Sequence, residues 1–250
     1  MRVQADFLGG NLGVGQQFRT THWSVVLSAG EGSTPEAAGA LEKLCQLYWY
    51  PLYAFVRKHG YDAHEAQDLT QEFFCRFLES KALKSVHPDK GKFRSFLLAA
   101  LKNFLANEWD RAHRLKRGGG RQFLSWDDLA AEDRFALEPA DELPVEKRFD
   151  RNWAQSLVDA ALARLHAECV AEGTEHRFNV LKLFLSGEPI GLSYATAAQQ
   201  LALSEAAVKS AIHRLRQRYA TLFRTEVAQT VSDPAEVESE IRHLFAVLSE

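Results

Sequence analysis

The residues best placed to do chemistry lie near the end of the chain, in LSYATAAQQLALSEAAVKSAIHRLRQR, Leu192 to Arg218. Lys209, His213, Arg214, Arg216 and Arg218 crowd into ten residues, with no acidic residue among them. Cations gathered on one helix are the electrostatic footprint of phosphate binding. Ser193 and Ser204 sit where N-caps are needed, because a serine hydroxyl can satisfy a free amide of the first turn. Ala197, Ala198 and Leu201, then Val208, Ile212 and Leu215, recur at helical spacing and would bury the faces between two helices. The pattern predicts helix, tight turn, helix, with a small basic outer face on the second, the form that enters a major groove. On these residues alone, two amphipathic helices with a solvated basic face remain the other reading.

Nothing elsewhere assembles a catalytic or metal site. The nine histidines are scattered, and His59 and His64 have no Cys or carboxylate to complete a metal set. Gly118-Gly119-Gly120 lacks the Lys-Ser/Thr of a phosphate loop. No Ser/His/Asp or Cys/His spacing suggests a nucleophile. The expectation is a protein that is not an enzyme, with no cofactor and no metal.

The elements that must position the chemistry are helical throughout. Ala37–Trp49 carries Leu41, Leu44, Cys45 and Tyr48 at helical spacing, and Pro51 is expected to interrupt or kink that helix. Asp62 and Glu65 have capping-box spacing and open the next helix, whose apolar side is Ala66, Leu69, Phe73, Phe74 and Phe77. Glu65, Asp68, Glu72 and Glu79 fall within an arc of roughly 60° on the opposite side, at about 100° per residue. Such an acidic stripe is either a solvated face or a docking surface for a basic partner. Lys92–Arg114 forms a further helix that buries Phe93, Phe96, Leu97, Ala100, Leu101, Phe104 and Leu105, while Lys102, Asn103, Asp110 and Arg114 point elsewhere. Asn103 stands out because an amide offers both donors and an acceptor to a base edge.

A chain of 250 residues with 46% hydrophobic content can hold two small domains, each with a core. No stretch approaches 18 uninterrupted apolar residues, and the N-terminus lacks the apolar core of a signal peptide. Cys45, Cys75 and Cys169 are odd in number and widely spaced, which fits reduced thiols in a cytoplasm. The net charge of −3 conceals a strong asymmetry. Lys90 to Arg121 holds nine basic and two acidic residues, whereas Ser125 to Asp150 holds nine acidic and three basic ones. The expected organisation is a disordered segment 1–22, a helical domain 23–117, an acidic flexible linker 118–144, a second helical domain 145–231, and an appendage 232–250. In that appendage Val237, Ile241, Leu244, Phe245 and Leu248 make one apolar stripe, either packed back on the second domain or docking a regulator.

YDAHEAQDLTQEFFCRFLE (Tyr61–Glu79), GKFRSFLLAALKNFLANEWDRAHRLKR (Gly91–Arg117) and the tail motif resemble, in this order, the sigma-70 family of RNA polymerase sigma factors. The likeness is to the small extracytoplasmic-function (ECF) type, with regions 2 and 4 only. Asp68-Leu69-Thr70-Gln71-Glu72-Phe73-Phe74 stands where the family has DLxQExF, and LSYATAAQQLALSEAAVKSAIHRLR resembles its LSyeEIAexLgiSxxTVKsrlxRAR. The resemblance implies an all-α initiation factor that binds core RNA polymerase and directs transcription from promoter DNA. Asp68, Gln71 and Glu72 would meet the clamp coiled coil of the largest subunit. Asn103 and the loop His87–Lys92 would hold an unstacked base of the −10 element, with Lys92, Arg94, Lys102, Arg111 and Arg114 on its phosphates. Lys209, Ser210 and Arg214 would contact the −35 element, with His213, Arg216 and Arg218 nearer phosphates. An anti-sigma factor or a protein kinase acting on Thr70 would be a regulator of the kind the family uses. A stand-alone helix-turn-helix regulator is the alternative; it has no need of the acidic helix.

The sequence departs from the family pattern at Asn107 and Asp110, at Thr196-Ala197, at Ala207 and at Ala202, which replaces a turn glycine. Without the backbone freedom of glycine, the turn at Ala202 is expected to take a different shape.

Overall fold

The computed structural model describes residues 35–79, 92–114, 128–138, 143–186, 192–231 and 233–249. Every regular element among them is helical, as expected. In order they are α1 (Pro35–Lys58), α2 (Ala63–Glu79), α3 (Phe93–Arg114), α4 (Asp128–Ala136), α5 (Val145–Ala171), α6 (Glu175–Leu181, continued as a 3-10 turn to Phe184), α7 (Tyr194–Leu201), α8 (Glu205–Ala228) and α9 (Val237–Ser249). The segment 1–22 and most of the expected linker lie outside the described residues.

α1 runs unbroken through Pro51, against the expected interruption. Proline in a helix interior costs about 3 kcal/mol or more. Around it Leu47, Tyr48, Tyr50, Leu52, Tyr53, Phe55 and Val56 are all buried. A buried large apolar side chain contributes about 1.5–3 kcal/mol, so burial outweighs the proline. α2 starts on the expected capping box: the Glu65 amide donates to Asp62 Oδ1 at 2.8 Å and the Asp62 amide to Glu65 Oε2 at 3.3 Å. Its phenylalanines stack into the core, Phe73 on Phe77 at 5.5 Å and against Phe104 of α3 at 5.7 Å.

Part of the expected flexible linker is ordered. α4 packs on α1, because its Glu132, and Glu138 just beyond it, find buried or half-buried partners on α1 and α5. Glu132 accepts from Arg57 Nη2 at 2.7 Å, from Arg57 Nε at 3.0 Å, and from the Tyr53 hydroxyl. Glu138, just past the helix, accepts from the Tyr50 hydroxyl at 2.6 Å and from Asn152 Nδ2 at 2.7 Å. Phe135 lies beneath the cations of Arg57 and Lys58, each 4.7 Å from its ring.

α5 is the central element. It packs on α1 along one side and on α6, α8 and α9 along others. Trp153 and Phe149, on α5, are fully buried among residues of α1, α2 and α3. Leu222, Phe223 and Val227 of α8 and Val237, Ile241 and Leu244 of α9 join the same cluster. The regions expected as two domains therefore share one continuous hydrophobic core in this structure. A smaller second cluster, built on Phe184, Ala197, Val208 and Ile212, holds α6, α7 and the start of α8 together.

Candidate functional site

The chemistry-bearing residues form three surfaces. On α2, Asp68 is well exposed, its side chain 66% accessible, and lies 3.3 Å from His64 one turn earlier. Glu72 is half-buried beside Arg76, which donates to it at 2.7 Å and to Glu108 of α3 at 2.5 Å. Gln71 is half-buried between them. The acidic face is thus present, with one of its charges partly neutralised by Arg76. Thr70 is completely buried, its hydroxyl donating to the Ala66 carbonyl at 2.6 Å. A kinase reaches that oxygen only if α2 first loosens from the core.

On α3, Asn103 and Lys102 point outward, and Lys102 reaches Glu146 of α5 at 2.6 Å. Arg111 is exposed, 3.5 Å from Glu108. Arg114 closes the helix. The loop residues 87–91 lie outside the described residues, whereas Lys92 lies at the start of α3. Arg94 is the residue whose placement departs furthest from its expected role. Only 6% exposed, its guanidinium lies 4.5 Å from the Trp153 ring and donates to Asp150 at 3.2 Å and to Glu240. A guanidinium so buried, over Trp153 and between two carboxylates, is not open to DNA.

At the third surface, both serines cap as expected: Ser193 Oγ accepts from the Thr196 amide at 3.1 Å and Ser204 Oγ from the Ala207 amide at 3.2 Å. Ala202 takes the left-handed conformation (φ 51°, ψ 43°), and the Leu203 amide closes back on the Ala198 carbonyl at 2.9 Å. The expected change of turn shape does not occur: alanine adopts the backbone that glycine would have supplied. Beyond the turn, Lys209, Ser210, His213 and Arg214 are exposed on the first half of α8. Lys209 hangs over the Tyr194 ring at 5.1 Å. Two neighbours are spent internally. Arg216 donates twice to the Phe184 carbonyl, at 3.1 and 2.6 Å, tying α8 to α6. Arg218 forks onto Glu168 of α5 at 2.7 and 2.6 Å, which holds that carboxyl below its usual range and raises the guanidinium.

Glu240 carries no expected role, yet it is 2% exposed and meets both Lys92, at 2.6 Å, and Arg94. A signal for it exists in the sequence. Glu240 shares the face of Val237, Ile241 and Leu244, and a carboxylate on an apolar face requires a buried partner.

These helices define an all-α protein with an acidic face on α2 and exposed basic residues on α3 and α8. Residues 47–115, which span the second half of α1, all of α2 and all of α3, match the family model of Sigma-70 region 2. The match covers less than a third of the chain and supports a sigma-70 family member through region 2 alone. No curated protein and no solved structure matches the chain. Among the described residues, no helix is long and apolar enough to cross a membrane, and no cluster of His, Cys, Asp and Glu could hold a metal.

Proposed function

We propose that this chain is a sigma factor of the ECF type, acting in the cytoplasm to direct core RNA polymerase to promoters through −10 and −35 elements. The observation that carries the reading is the coincidence of the region 2 match with the exposed acidic face of α2. Asp68, with Gln71 and Glu72 beside it, would meet the basic clamp coiled coil of the largest polymerase subunit, where complementary charge speeds encounter and fixes register. Catalysis would belong to the polymerase.

Asn103, projecting from α3, would hold a base flipped from the −10 element, an extrusion that costs a few kcal/mol. Lys92, Lys102, Arg111 and Arg114 would offset that cost on the phosphates. Lys92 and Lys102 first have to leave Glu240 and Glu146. The α7–turn–α8 unit would act as the helix-turn-helix for the −35 element. Lys209, Ser210 and Arg214 would face bases and His213 phosphate, while Arg216 and Arg218 would brace the unit from behind.

The test is the affinity of the full chain for core RNA polymerase, alone and with Asp68→Lys and Glu72→Lys combined. Tight binding that falls at least tenfold in the charge-reversed chain, with helicity retained, is the expected result. Equal binding by both chains would overturn the assignment of α2.

A further inference from the structure

A helix that enters a major groove meets a phosphate backbone on either side of it. At about 100° per residue, Ser210 and His213 fall between Lys209 and Arg214 on the exposed face of α8. Lys209 marks one edge of that face, where it hangs over Tyr194 of α7 at 5.1 Å. Arg214 marks the other edge, which borders α6 instead.

Arg214 and Arg177 of α6 line the same cleft, about 240 Å³ in volume, between α5, α6 and α8. Its floor is apolar, with Leu165, Phe178, Leu181 and Leu215. Around it stand the guanidiniums of Arg177, Arg214 and Arg218 and the carboxylates of Glu168 and Glu172. Arg218 is forked onto Glu168 at 2.7 and 2.6 Å, and Glu172 acts on Arg218 as well. Arg177 and Arg214 are exposed, and neither pairs with a carboxylate among the described residues. Two guanidiniums facing one cleft without counter-ions suit an anion from outside. α6 is held firmly enough to aim Arg177. Phe178 and Leu181 are buried, and the two bonds from Arg216 to the Phe184 carbonyl tie the end of α6 to α8.

We infer that Arg177 is a backbone anchor of the DNA interface: it takes a phosphate on the α6 edge of the groove, beside the base that Arg214 faces. The inference rests on the helix-turn-helix reading of α7 and α8. It divides the work between two neighbouring arginines. A phosphate contact fixes register and orientation and carries no sequence information, whereas a base contact discriminates. Arg177 is therefore a positioning residue, and Arg214 depends on it for its aim.

The experiment titrates the full chain with a mixed-sequence DNA duplex of about 20 base pairs over a range of salt concentrations. Arg177→Gln is expected to weaken binding about three- to tenfold at roughly 0.1 M salt. It should also reduce the slope of log affinity against log salt by about 0.9, the value for one phosphate. Arg177→Lys keeps the charge and should restore most of that slope. Arg242→Gln removes the same charge from an exposed position on α9, outside the cleft, and should leave affinity and slope at their wild-type values. All three positions are exposed in the fold, and far-UV circular dichroism checks that helicity is retained. A wild-type slope in Arg177→Gln, or an equal loss in Arg242→Gln, would overturn the anchor while leaving the helix-turn-helix reading standing. A wild-type chain that binds no duplex would overturn that reading and the anchor with it.

Discussion

Ala202 offers a sharp quantitative test of the turn that aims α8. It is the only non-glycine residue with positive φ among the described residues, and its side chain is exposed. An L-residue in the left-handed region costs roughly 1–2 kcal/mol. Ala202→Gly removes that cost but returns about 0.5–1 kcal/mol through the greater freedom of glycine in the unfolded chain. No packing is lost, since the methyl group touches solvent. The net expectation is a stabilisation of about 0.5 kcal/mol, a rise in Tm of about 1–2 °C for a chain of this size. Ala202→Val gives the opposite sign, because a β-branched residue tolerates positive φ poorly, and should cost about 1–3 kcal/mol. Urea unfolding followed by far-UV circular dichroism measures both, with an unchanged m-value as the check that only stability has moved. A glycine variant less stable than wild type by more than about 0.5 kcal/mol, at constant m, would refute the left-handed turn.

Two further perturbations probe the packing around the sites. Glu132→Ala deprives Tyr53 and Arg57 of their shared acceptor on α4 and, because the pair is partly exposed, should cost about 1 kcal/mol. Limited proteolysis should then cut within residues 128–138, which the wild type protects; equal resistance in both chains would show that Glu132 does not hold α4. His243, on α9, has its pKa lowered by burial and by Arg94 and Lys92, against the smaller opposing effects of Glu240 and Asp150. The unfolded chain then binds the extra proton more readily than the folded one, so this contribution is full above about pH 6.5 and is lost as pH falls below it. His243→Gln should flatten the stability profile between pH 7.5 and 5.5; an unchanged slope would rule out His243 as its source.

Much of this architecture is legible in the residue pattern, and the failures have local causes. The serine caps, the Asp62–Glu65 box, the phenylalanine faces of α2 and α3, and the stripe of α9 all follow from spacing, because each is decided within one or two helical turns. α4 was hidden because its stability comes from Tyr50, Tyr53 and Arg57, some 75 to 88 residues away in the chain. Pro51 misled for the same reason: a local rule gave way to burial against a helix that arrives about 100 residues later. The site divides along the same line. That α2 is acidic and α8 basic is written in their composition. Which cations remain available is set by distant partners, such as the Phe184 carbonyl for Arg216, Glu168 for Arg218 and Glu240 for Arg94.

The central claim, promoter-directed initiation, is tested most directly by run-off transcription with purified core RNA polymerase on a library of genomic fragments. The account predicts discrete start sites that appear only when this chain is added. They should vanish with the combined Asp68→Lys and Glu72→Lys chain. Start sites indifferent to the addition of the folded chain would contradict it.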